Sequence, residues 1–365
     1  MREPPYSGIW RQLEQGLVVP FLGAGASRNA RIRSKQEYGV EGDRLPSGGQ
    51  LAEKLAQESE LPSKEKSDRE DLAKVASYYI SQLGRPALRQ YLEKLFGVNY
   101  QPSLVHRMLA DAPTPMLIVT TNYDDLIEQA FEDSGKPFYL AVSISKEDHP
   151  ADGASIYWWE PGAENSRAYG ANEIPTSLFE RKLAVSDMVP RGEPVATPPK
   201  GDKSWAIQYP LSDLEEALWN QRDVNIYGMD VEKFANEVQR KMTTGNQTSS
   251  LSPSNATSTN YGPFGDTTVI YKMHGSVYKN RGTPDLSPST SGSYVISEDD
   301  YVNFLTNMTM QCAIPALFKS IFQISKFLFL GYSLSDWNLR VMLNSLRSGL
   351  YSQSNLSTPS TNIDA

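Results

Sequence analysis

Leu17-Val18-Val19-Pro20-Phe21-Leu22-Gly23-Ala24-Gly25-Ala26-Ser27 is an apolar run that breaks into a turn of small residues. A buried strand running into glycines, with a helix expected after them, is how α/β proteins bring backbone amides up to a phosphate. The same pattern occurs wherever a backbone must turn tightly, so the stretch nominates a nucleotide site and the rest of the chain has to decide. Pro20 has no N–H for a ladder, which predicts a bulge or an early end of pairing there.

Upstream, Ile9 to Gln15 reads as a short helix. Downstream, Arg28 to Arg44 shows no period and reads as a loop or lid. Ser47 can cap a helix carrying Leu51, Ala52 and Leu55. Three amphipathic segments follow, through Leu72 to Leu83, Leu88 to Leu95 and Leu104 to Leu109, and together they predict a helical module over about 47–112, laid on one part of a sheet. Met116 to Thr120 has strand length and ends at Thr121-Asn122-Tyr123-Asp124-Asp125, with a helix predicted from Leu126. Polar residues there would sit at the carboxyl edge of a parallel sheet, where open α/β sheets bind ligands.

From about 138 to 202 the text is irregular and suits a long surface insertion with short strands. Lys203 to Met242 reads as a compact βαβα unit, with strands near Ser204–Gln208 and Val224–Tyr227. Residues 243–260 are Ser, Thr and Asn in the main, a flexible linker. A third strand, Thr267 to Met273, ends on His274-Gly275-Ser276. After helices at Glu298–Asn307 and Pro315–Ser325, a fourth, Phe327 to Leu330, ends on Gly331-Tyr332-Ser333-Leu334-Ser335-Asp336, with a helix from Trp337 to about Leu346. Residues 352–365 read as a disordered tail. The expected fold class is α/β: a Rossmann-like parallel sheet with helices on both faces, the helical module and the insertion.

The 365 residues carry a net charge of -8, which predicts no general attraction to nucleic acid. A single cysteine, Cys312, excludes an intrachain disulfide framework and a cysteine-built zinc site within this chain. No apolar run approaches membrane-spanning length and the first residues lack the apolar core of a signal peptide, so the expected compartment is the cytoplasm. His106 and His149 have no ligand-spaced partners, and no metal is expected.

Four apolar strands thus end in four polar or glycine-rich turns, and parallel strands would put all four on one edge. Gly23-Ala24-Gly25-Ala26-Ser27, Thr120-Thr121-Asn122-Tyr123-Asp124, Lys272-Met273-His274-Gly275-Ser276, Ser297 to Leu305 and Phe329-Leu330-Gly331-Tyr332-Ser333 resemble, in order and in spacing to their strands, the sirtuin family, and more closely the sirtuin-like NAD hydrolases of bacterial anti-phage defence. The resemblance implies a catalytic domain over 1–346 that binds NAD. Gly23, Ala24, Gly25 and Ser27 would lie at the diphosphate, Gly331 and Ser333 near the adenosine end, and Thr121 and Gly275 beside the dinucleotide. Asn122 and Asp124 would face the nicotinamide ribose, with His274 as the base.

Those residue types suit the chemistry. Breaking the bond from C1′ to nicotinamide builds oxocarbenium character, and nicotinamide leaves as a neutral base, so no strong acid is needed. Asn122 can orient the ribose or a water, and neutral His274 can take a proton near pH 7. Zinc-dependent sirtuin deacylases carry a four-cysteine ribbon that this chain cannot build, which moves the expectation from deacylation towards hydrolysis by water. Order also departs from the family pattern: the βαβα unit at about 203–242 looks like the closing part of the sheet, displaced upstream, and its strands are expected next to Phe327–Leu330.

The reading that follows is an NAD⁺ glycohydrolase that drains NAD⁺ in phage defence, controlled by homo-oligomerisation or by a partner such as a HerA-type motor ATPase. A sirtuin-type deacylase or ADP-ribosyltransferase, and a non-catalytic module that senses NAD or ADP-ribose, are the alternatives. Simpler roles also stand: Asp124 as a helix cap, His274 as a core histidine, His106 as a surface or packing residue, and Trp158-Trp159 as a core or interface pair.

Overall fold

The computed structural model describes residues 6–16, 18–32, 44–143, 156–159, 167–169, 267–277, 294–309 and 325–331, with isolated positions at 236, 240, 314–315, 318 and 321–322. All but positions 236 and 240 of the βαβα unit, most of the proposed lid, the linker, the tail, Ser333 and the helix after it fall outside these residues.

The opening stretch forms β1 (Val18–Leu22), buried along its whole length as expected of an apolar run with neighbours on both sides. The other apolar runs give β4 (Leu117–Thr120), β8 (Thr268–Lys272) and β9 (Lys326–Leu330). Phe138–Ser143 is β5, a strand of the main sheet rather than the start of a surface insertion. It hands on to β6 (Ile156–Trp159) and β7 (Arg167–Tyr169), and the sheet order is β7-β6-β5-β8-β4-β1-β9. The strands β5, β8, β4, β1 and β9 are parallel, and β6 and β7 extend the sheet antiparallel.

Pro20 does not break the strand, since it pairs in register with Leu328 of β9. The carbonyl of Leu22 accepts from Thr121 N–H on the β4 side at 3.2 Å. By the two-residue alternation the missing N–H of Pro20 faces that side as well, and pairing with β4 begins only at Phe21.

Helices cover both faces. On one, α1 (Tyr6–Glu14), α7 (Leu104–Asp111) and α8 (Leu126–Ser134) bury Ile9, Leu13, Val105, Met108, Ile127 and Phe131 against Val18, Leu22 and Ile118. On the other, α9 (Glu298–Thr309) brings Phe304, and Phe318 and Phe322 pack with it on Phe21, Val119 and Tyr271. Trp158 and Trp159 are consecutive on β6, so they enter opposite faces, and both are core residues.

The helical module is built from α3 (Gly48–Glu58), α4 (Lys66–Glu70), α5 (Leu72–Leu83) and α6 (Arg85–Phe96). Its core, Leu51, Leu55, Val75, Tyr79, Leu88 and Leu92, closes on Tyr123, Val277, Tyr294 and Ile296, which flank the strand-end turns. The module therefore sits at the carboxyl edge of the sheet. In contrast with the sequence reading, α7 joins the sheet face rather than this cluster, because its apolar stripe meets α1 and α8. Arg85 ties α6 to the start of α9: it donates to Asp300 Oδ1 at 2.8 Å and to the carbonyl of Tyr294 at 2.9 Å, and lies over the Tyr294 ring. Short elements complete the chain: α2 (Ala24–Ser27), and β2 (Arg31–Ile32) paired antiparallel with β3 (Tyr100–Gln101). Among the described residues no helix is long and apolar enough to cross a membrane.

Candidate active site at the strand ends

The four turns do share one edge. β8, β4, β1 and β9 are adjacent, and their last residues are level: Lys272 pairs with Thr120, Thr120 with Leu22, and Leu22 with Leu330. Whatever follows these four positions is brought out at the same height.

After β1 the glycines begin α2 directly. Gly25 N–H donates to the carbonyl of Gly331 at 2.8 Å, Gly23 N–H to Leu330 O at 3.0 Å and Ala26 N–H to Gly23 O at 2.9 Å. In this conformation these amides are spent on the turn itself, and the task of Gly25 and Gly331 is close approach of two backbones. A Cβ on Gly25 would stand 2.7 Å from Gly331 O, and one on Gly331, whose φ is +66°, would stand 2.0 Å from Ala26 N. Ala24 and Gly25 remain exposed at the start of α2.

Side chains from the second turn brace the first. Asn122 Nδ2 donates to Gly23 O at 3.1 Å and to Ser27 Oγ at 3.0 Å, and Ser27 Oγ donates to Asp124 Oδ2 at 2.8 Å. Asp124 Oδ1 accepts Leu126 N–H at 3.2 Å, so Asp124 also serves the first turn of α8, the capping role open to it in the sequence. Asn122, Asp124 and Ser27 are all buried. Burial pushes the Asp124 carboxyl up to about 6, against the pull of Lys272, the Ser27 hydroxyl and the Leu126 amide. A carboxyl in that range exchanges its proton near neutral pH.

Lys272, the last residue of β8, lies below this group with its side chain fully buried. Its ammonium donates to the main-chain carbonyl of Asp124 and, at 2.9 Å, to Glu128 Oε1 on α8. One cation thereby fixes the Asn122–Asp124 loop to the strand that delivers His274. A lysine within an apolar strand run was the available signal for it, yet polarity alone assigns no partner.

His274 is buried, and its ring meets Tyr301 and Phe304 of α9 edge-on, with centroids 5.6 and 5.2 Å away. Desolvation pushes its pKa down to about 4, which keeps the imidazole neutral at pH 7 and able to accept a proton. Its carbonyl accepts Val295 N–H at 3.0 Å, and Gly275, at φ +79°, bridges to Tyr294, so the residues before α9 hold the third turn in place. Ser276 Oγ is buried with no partner among the described residues. Gly23, Gly25, Ser27, Thr121, Asn122, Asp124 and Gly331 are thus linked across three strand ends. His274 and Gly275 occupy the fourth, connected to the group through Lys272.

His106 is neither at this edge nor exposed. Ser103 N–H donates to its Nδ1 at 3.2 Å, making it the third residue of a capping box on α7, and burial pushes its pKa down to about 3.

A family model for the SIR2-like domain matches residues 116–162 and 231–357, segments that hold β4, β8 and β9 with their turns. The NAD(+) hydrolase ThsA of Acinetobacter baumannii is 34% identical over 130 residues, covering 35% of this chain and 23% of that protein. The chain thus spans less than a quarter of that relative's length. Over these segments, which hold β4, β8 and β9 of the parallel sheet, the chain is similar to the SIR2-like domain.

Proposed function

We propose that the chain is an NAD⁺ glycohydrolase releasing nicotinamide and ADP-ribose. The observation that carries the reading is the level register of four strand ends, which gathers Asn122, Asp124 and His274 at one edge under the helical module. The name of the relative, an NAD(+) hydrolase, points the same way.

In the proposed reaction the dinucleotide lies along this edge, its diphosphate near the exposed start of α2 and its nicotinamide ribose towards Asn122 and His274. Asn122 is held by its Nδ2, which leaves its carbonyl oxygen to orient a ribose hydroxyl or a water. Neutral His274 receives the proton as water or a ribose hydroxyl turns nucleophilic, and a second ionisable group, Asp124, lies across the cleft. As the C1′–N bond breaks, the positive charge of the pyridinium passes to C1′ and the ribose ring oxygen, where an ionised Asp124 stabilises it. Gly275 and Thr121 line the edge between these groups, and Gly331 falls towards the adenosine end. Binding requires no metal in this scheme.

The family resemblance extends the proposal to phage defence by NAD⁺ depletion in the cytoplasm, with activity released by homo-oligomerisation or by a partner of the HerA motor type. Mass spectrometry of NAD⁺ incubated with purified protein, alone and with candidate partners, tests it. Free nicotinamide and ADP-ribose without an acceptor are expected. Intact nucleotide at stoichiometric occupancy would replace hydrolysis with sensing, and transfer only to an acyl-lysine peptide or another protein would replace it with deacylation or ADP-ribosylation.

A further inference from the structure

A cavity of about 330 Å³ opens beside α2. Its walls include Gly25 and Ala26, Asn29 and Arg31 on the chain leaving α2, Gln101 on β3, Ser103 and Arg107 of the α7 start, and Asn236. The cavity lies on the sheet face covered by α1, α7 and α8, whereas the His274 ring packs with Phe304 on the opposite face.

The lining is one-sided in charge. Arg31 and Arg107 both contribute to it, and no carboxylate does among the described residues. Neither guanidinium forms an ion pair among those residues. Arg107 Nη1 donates to the carbonyl of Pro102, which anchors the guanidinium in the wall while its remaining N–H groups stay unengaged there. Two arginines on one cavity wall with no counter-ion among the described residues present positive charge to an anion, and the planar fork of each suits phosphate oxygens. Asn29 and Gln101 add carboxamides, which donate and accept, and so match hydroxyls or a base edge rather than a bare ion. A cavity of this size falls at the small end of ligand sites, roughly 300–1,000 Å³.

We propose that this cavity is a second ligand site, sharing Gly25 with the strand-end cleft, which takes a phosphate monoester or diphosphate of mononucleotide size between Arg31 and Arg107. The floor of the site is shared structure: Ser103 Oγ donates to Ala26 O at 2.9 Å, and Ser27, the next residue, is the hydroxyl between Asn122 and Asp124. An occupant would brace α2 against α7 directly behind the proposed cleft. The site is a matter of anion binding and does not depend on the reaction assigned to the cleft.

Titration calorimetry of the full chain with inorganic pyrophosphate, AMP and adenosine tests it. Pyrophosphate and AMP are expected to bind and adenosine to fail. Arg31→Gln and Arg107→Gln should each weaken pyrophosphate at least tenfold. Amide exchange of the wild-type protein gives a readout free of substitutions: pyrophosphate should protect residues 29–31 and 101–107. Absence of binding, unchanged affinity in both arginine variants, or protection confined to 23–27 and 121–125 would each overturn the site, the last by placing the anion in the cleft.

Discussion

The amide of Gly25 and the carbonyl of Gly331 meet at 2.8 Å, and neither residue has room for a side chain. The contact joins the turn after β1 to the turn after β9. Gly331→Ala adds a Cβ 2.0 Å from a backbone nitrogen at a residue with φ +66°, a clash that no rotamer relieves. The expected loss is about 2–4 kcal/mol in unfolding free energy, read by denaturant titration. Wild-type stability in this variant would mean that the two turns are not in contact.

Lys272 and Glu128 form an ion pair with 0% and 6% side-chain exposure. Removing one partner strands the other charge, so Lys272→Met is expected to cost about 3–5 kcal/mol, whereas Lys272→Met combined with Glu128→Leu should recover much of that. A double-mutant cycle measures it. Strict additivity of the two single changes would show that the pair does not interact.

His106 and His274 have their pKa values pushed below the unfolded value, to about 3 and about 4. The unfolded chain therefore binds more protons between pH 6.5 and those values, and this part of the stability falls as pH drops through that window. Asp124, raised to about 6, works in the opposite direction, its contribution falling as pH rises from about 4 to 6. His106→Gln keeps a capping-box acceptor that does not titrate. Between pH 7 and 4.5 it is expected to lose less stability than wild type, by on the order of 2 kcal/mol. Parallel pH curves for the two proteins would contradict the buried, neutral imidazole.

Ser27→Ala removes a hydroxyl that donates to Asp124 and receives from Asn122. Asp124 loses a bond that favours its ionised form, so its ionisation should move to higher pH. If NAD⁺ is the substrate, the acid limb of the turnover profile moves with it and kcat falls about 10- to 100-fold. Loss of kcat with an unmoved profile would leave Ser27 a merely structural residue.

His274→Ala and Asn122→Ala are expected to reduce NAD⁺ turnover by about 10²–10⁴-fold while far-UV circular dichroism stays that of wild type. Unchanged hydrolysis in both would place the chemistry elsewhere.

The strands and their turns were legible because a run such as Met116 to Thr120, with polar residues straight after it, has few other ways to fold. The level ends followed from one assumption, that the strands are parallel. Side-chain pairing was not legible in the same way. Asn122 could be nominated as a site residue, but its bonds to Gly23 and Ser27 depend on a crossover of about a hundred residues, which periodicity does not encode. Lys272 stood in a quoted motif with no role because its partners lie on α8. Phe138–Ser143 went unread as a sheet strand since prolines and charged residues beyond it dominate the segment's composition. The placement of the 203–242 unit and of Ser333 lies outside the described residues.

The pairing of Val18–Leu22 with Lys326–Leu330 also orders events in time. During synthesis β1 emerges first, but its β9 neighbour comes only after nearly all the remaining strands, and β4 alone cannot cover both of its edges. Such pairing between distant parts of a chain is slow to close and leaves an open strand edge meanwhile. Since Gly25 takes its carbonyl partner from Gly331, the glycine turn cannot reach its final form on a nascent chain shorter than that residue. The proposed dinucleotide end would then be unable to assemble until translation had passed β9.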